Sequence, residues 1–77
     1  MRRNEVEKRF NEINSKMVTA LGMENEEVIA YLTATEEVVK GLPERLLYLL
    51  DEDYFKRYER VIDELIIDSV EKEEGDN

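Results

Sequence analysis

Val6, Phe10, Ile13, Met17 and Ala20 fall four, three, four and three residues apart. This spacing returns each apolar side chain to one stripe of an α-helix, whereas a strand would need apolar residues at every second position. Glu5, Lys8, Arg9, Glu12 and Lys16 occupy the opposite face. Glu5/Arg9 and Glu12/Lys16 are i,i+4 pairs in the favoured order, each adding a few tenths of a kcal/mol, on the order of 0.3. Similar patterns recur along the chain, which reads as all-α: a small bundle of three to four helices.

Turn signals divide the pattern. The first helix is expected from Asn4 to Leu21, with Gly22 as a left-handed residue beyond its end. Asn25 is a good N-cap for the second, and Glu26 and Glu27 place negative charge at the positive end of the helix dipole. The second stripe is Val28, Tyr31, Leu32, Thr35, Val38 and Val39, with a possible break near Ala34, where Thr35-Glu36-Glu37-Val38 reads as a fresh cap. Gly41 reads as the left-handed residue after this helix, and Pro43 as the first residue of a third, running to Leu50. Asp51 or Asp53 can cap a fourth from about Tyr54 to Lys72, with a stripe of Tyr54, Tyr58, Val61, Leu65 and Ser69 widened by Phe55, Ile62, Ile66 and Val70. The third and fourth segments are either two helices or one bent helix. Residues 1–72 are expected to form a single helical domain and residues 73–77 an acidic, disordered tail. The competing reading is a β-hairpin of residues 17–21 and 28–33, whose apolar spacing fits a period of 3.6 better than 2.

The chain has 77 residues, no cysteine and no histidine. Disulfides and thiolate metal sites are excluded, and so are imidazole ligands and the commonest general base. A Ser-His-Asp or Cys-His site cannot be assembled from this chain alone. Carboxylates are the one plentiful chemical group. Glu24-x-x-Glu27 resembles half of the Glu-x-x-Glu and Glu-x-x-Asp pattern by which the all-α nucleotide pyrophosphatases hold magnesium. The later pairs Glu59/Asp63 and Glu64/Asp68 are one residue too far apart for the other half. Asp51-x-Asp53 resembles the start of a calcium loop, but Lys56 stands where the loop needs glycine and Ile62 where it needs glutamate. No catalytic residue, metal ligand or cofactor is expected, and the chain reads as a non-enzyme.

Twenty acidic residues against eleven basic ones give a net charge of −9. Such a body repels nucleic acid and anionic membranes and suits a basic protein partner. Neither a secretory leader nor a membrane-length apolar run is apparent, so a cytoplasmic location is expected. The charge is uneven: residues 56–60 hold three bases and one acid, and residues 61–77 one base and seven acids. Pairing of basic and acidic segments, within one copy or between two, is one structural use of that asymmetry.

Tyr48, Tyr54, Phe55 and Tyr58 lie close in sequence among Arg45, Arg57 and Arg60, and Tyr and Arg are enriched at binding hot spots. A chain this short cannot easily cover Leu46, Leu47, Leu49, Leu50, Tyr54 and Phe55 together. Leu46, Leu47, Leu50, Tyr54, Phe55, Arg57 and Tyr58 are therefore the expected protein interface, in a homodimer or a hetero-complex. In composition and size the chain resembles small proteins of bacteriophages and other mobile elements. That resemblance implies binding and blocking of one host protein, or assistance in particle assembly. The leading expectation is an acidic interaction module acting as inhibitor or adaptor. The alternatives are an assembly subunit or chaperone of a larger particle, and a DNA mimic whose carboxylates imitate phosphates.

Overall fold

Asn25 shows how local chemistry sets the boundaries. Its side-chain oxygen accepts from the backbone N–H groups of Glu27 and Val28 at 2.8 and 3.3 Å, satisfying two of the donors that a helix start leaves open. In the computed structural model, which describes residues 2–75, this cap opens the second of three α-helices. Helix α1 spans Arg3–Leu21, α2 Glu26–Gly41 and α3 Glu52–Gly75, with a 3-10 helix at Glu44–Leu49 between α2 and α3. No strand occurs among the described residues, so residues 17–21 and 28–33 belong to helices rather than to a hairpin.

The last two segments are separate elements. Leu50 breaks the 3-10 helix with φ −92° and ψ 70°. The Asp51 carboxylate then accepts from the Tyr54 N–H at 2.9 Å, so Asp51, not Asp53, caps α3. Gly22 takes the positive φ of 88° expected after α1. Gly41 does not take a left-handed conformation: it is the last helical residue of α2, and Leu42 forms the cap. Pro43, expected as a first helical residue, stands just outside the 3-10 helix with ψ 147°. Helix α2 is unbroken at Ala34 because the Thr35 hydroxyl turns inward instead of capping, donating toward the carbonyls of Tyr31 and Leu32. The tail expected over residues 73–77 is helical in backbone as far as Gly75. Its side chains and residues 76–77 lie outside what is described.

Helix α1 lies between the other two. Its Arg3 guanidinium donates to the carbonyls of Val39 and Leu42, the open acceptors at the far end of α2, so α1 and α2 run antiparallel. Arg9 reaches Glu52, and Lys16 reaches Glu59 and Asp63, so α1 and α3 run parallel. The buried core is Val6, Phe10, Ile13 and Met17 of α1, Val28 and Val39 of α2, Leu47 and Leu50, and Phe55 and Ile62 of α3. The Phe10 ring packs edge-on against Phe55 at 5.0 Å and Tyr58 at 5.3 Å, arrangements that aromatic quadrupoles favour. Helix α1 contacts α2, α3 and the 3-10 helix, whereas α2 and α3 meet little beyond the Tyr31 and Tyr58 rings, 6.5 Å apart. The result is an elongated slab of 49 × 23 × 14 Å.

One polar cluster crosses this core. Asn14, buried on α1, donates to the Thr35 hydroxyl of α2 at 3.0 Å and accepts from the Tyr58 hydroxyl of α3. A single amide thus ties all three helices, and slipping any one by a residue would strand buried polar atoms.

Candidate functional site

The apolar middle of the sequence divides between inside and outside. Leu47, Leu50 and Phe55, expected at an interface, are core residues of the single chain, with Phe55 wholly enclosed. They cannot meet a partner while the fold is intact. Leu46 and Tyr58 are half-buried, Tyr54 is 37% exposed, and Arg57 is on the surface. Tyr48 and Leu49 face outward from the 3-10 helix. The reason is geometric: with three residues per turn, every third side chain of that helix points inward, which takes Leu47 and Leu50 and leaves the residues between them outside.

Helix α3 carries four of the exposed large apolar side chains, Tyr54, Val61, Ile67 and Val70, with Met23, Ile29, Tyr48 and Leu49 exposed elsewhere. Phe55 and Ile62, seven residues apart, form its buried line, with Ile66 half-buried as that line's continuation. Of the expected stripe, the widening residues Phe55, Ile62 and Ile66 face the core, while its centre, Tyr54, Tyr58, Val61 and Leu65, is the flank of this line, rotated by roughly a quarter turn at 100° per residue. Tyr54 and Val61 on that flank remain open, Val61 at 44%. Either set gives a helical spacing, and packing against α1 encloses Phe55 and Ile62 while leaving Tyr54 and Val61 open, although the Phe10 ring touches residues of both sets.

A second open region comes from length. The ion pairs that fix the α1–α3 register run from Arg9–Glu52 to Lys16–Asp63. Extending that register brings Leu21, the end of α1, level with about Ile66. Helix α3 continues nine residues further, to Gly75. At 1.5 Å per residue α3 is about 36 Å long and α1 about 28 Å. The overhang carries Ile67, 55% exposed, and Val70, 42% exposed, beside half-buried Ile66. Asp63, Glu64 and Glu71 rim these residues and are exposed to solvent. This overhang lies outside the sequence-expected interface. Its signal was available in the mismatch between a 19-residue and a 24-residue helix, which shows only once both boundaries are known.

Electrostatics tie the near part of α3 to α1. Lys16 Nζ donates to Glu59 at 2.5 Å. That bond holds the lysine above its usual range and the carboxyl below its own, with Asp63 adding to the lysine's shift. Arg9 bridges Glu12 and Glu52 and lies 5.4 Å from the Phe55 ring centre, covering its edge of the core. Tyr58 is pushed well above the ordinary phenol value of 10.0, chiefly by burial and then by the neighbouring Tyr31 and Tyr54.

The other concavities are modest. A groove of about 250 Å³ between α1 and α2 is walled by Glu7, Asn11, Glu36 and Lys40 over a floor of Phe10 and Thr35. Its polar groups include the Lys40–Glu36 ion pair at 2.6 Å, which holds the lysine high and the carboxyl low. Among the described residues no three carboxylates converge as a metal site would require, and no helix is long and apolar enough to cross a membrane. Comparison of the chain with protein-family models, curated proteins and solved structures finds no match.

Proposed function

We propose that this chain is a protein-interaction module, an inhibitor or adaptor, that presents the overhanging end of α3 to a basic partner. The observation that carries the reading is the pairing of Ile67 and Val70, open beyond the end of α1, with the carboxylates of Asp63, Glu64 and Glu71 around them. Apolar side chains there gain from burial, at about 25 cal/mol per Å². The acidic rim speeds the approach of a basic surface and disfavours acidic competitors. A partner helix with apolar residues on one side and Lys or Arg along its edges matches both features.

The test is capture of a partner from a lysate of the source cell, repeated with the double variant Ile67→Glu/Val70→Glu. The expected result is one dominant basic partner that the variant fails to retain although its circular dichroism is unchanged. Retention of the same partner by the folded variant would overturn the reading. A steep loss of binding between about 50 and 200 mM salt, with no effect of the variant, would point instead to the DNA-mimic alternative.

A further inference from the structure

The second uncovered face of α3 carries a charge pattern that complements itself. Tyr54, Val61 and half-buried Leu65 form its apolar line, on the side of α3 away from Asp63 and Val70. Along the outer edge of this line lie Arg57 at one end and Glu64 and Asp68 at the other, all exposed. Arg57 and Glu64 are seven residues apart, and Asp68 is one turn further on, so they share an edge. Among the described residues these three take part in no ion pair within the chain.

We infer that this face binds a second copy of the chain, with the two α3 helices antiparallel and crossing near Val61. A two-fold axis there sets residue 57 of one copy level with residue 65 of the other. Each Arg57 then stands between the partner's Glu64 and the partner's Asp68, and the contact is made twice. A parallel pair would bring Arg57 against its own copy and the carboxylates against theirs, which costs free energy. The antiparallel order also places the Tyr54 ring over the end of the partner's apolar line, and aromatic residues favour such positions. Each copy carries a net charge of −9, so the two bodies repel at long range. At about 0.1 M salt that repulsion is screened beyond roughly 10 Å, whereas the edge pairs act at contact. Tyr54, Val61 and Leu65 are not part of the overhang, although Glu64 borders both faces, so the dimer is tested through Val61 and Arg57 and the partner-binding reading through Ile67 and Val70.

Sedimentation equilibrium of the full chain at about 0.15 M salt, from micromolar to about 0.5 mM, tests the inference. Dimers are expected, with Val61→Glu abolishing them and Arg57→Glu raising the dissociation constant tenfold or more. Glu64→Arg/Asp68→Arg is expected to weaken self-association to a similar degree. All these positions are on the surface, and circular dichroism checks that each variant is folded. Mixing Arg57→Glu with Glu64→Arg/Asp68→Arg is expected to restore dimers as a mixed species. A strict monomer over the whole range would overturn the inference. So would dimers insensitive to Val61→Glu and Arg57→Glu, or failure of the two charge variants to form the mixed species.

Discussion

Two glycines show how far residue type alone can be read. Both Gly22 and Gly41 stand where a helix pattern ends, and both suit a left-handed stop. Only Gly22 takes a positive φ, 88°, with ψ extended at 156°, and Gly41 stays helical. At neither position would an added Cβ meet another atom within 4 Å, so backbone conformation alone sets the effect. Gly22→Ala is expected to cost about 1–3 kcal/mol, because φ 88° with ψ 156° is a backbone region open essentially to glycine alone. Gly41→Ala is expected to gain about 0.5 kcal/mol through helix propensity and a less flexible unfolded chain. Urea unfolding of the two variants measures both signs. Asn14 is the residue the apolar pattern could not reveal. It sits between Phe10 and Met17 on the buried face, and its role depends on Thr35 and Tyr58, which are distant in sequence.

At the level of elements, capping chemistry was legible and helix rotation was not. Asn25 and Asp51 announce α2 and α3 because a short polar side chain before a helical pattern has a local task that tertiary contacts rarely change. The face that α3 buries lies within its expected stripe, but centred on Phe55 and Ile62 and not on Tyr58 and Val61. Tyr54, Tyr58, Val61 and Leu65 have the same periodicity as Phe55, Ile62 and Ile66, so the choice rests on how α3 is rotated against α1, which encloses Phe55 and Ile62. Tyr58 lies at the edge between them and reports on the packing. Its phenol holds its proton more tightly in the fold than in the unfolded chain. That contribution is complete below the ordinary value of 10.0 and drains away as pH rises above it. Unfolding free energies measured between about pH 9 and 11.5 are expected to fall more steeply for the natural chain than for Tyr58→Phe. The same dependence in both would contradict the buried position of the ring. Lys16 and Lys40, also held high, contribute to both chains and cancel in the comparison.

For the whole molecule, the all-α class followed from periodicity, whereas shape followed from relative helix lengths and the central place of α1. A compact domain of 77 residues has a radius of gyration of about 11.5 Å. This chain measures 13.7 Å. The excess comes from a helix that outruns its neighbour and from outer helices that barely meet, which leaves two faces of α3 without cover. The apolar middle thus hides Leu47, Leu50 and Phe55 but leaves Tyr48 and Leu49 outside, and further along the chain Val61, Ile67 and Val70 are open as well.

The most direct check on this division of α3 is urea unfolding of Phe55→Ala beside Ile67→Glu/Val70→Glu. Phe55→Ala is expected to lose about 3–4 kcal/mol, a large share of the roughly 4–12 kcal/mol available to a domain of this size, while the double variant stays within about 0.5 kcal/mol of the natural chain per site. A double variant as damaged as Phe55→Ala would place Ile67 and Val70 in the core and contradict the exposed overhang on which the proposed function rests.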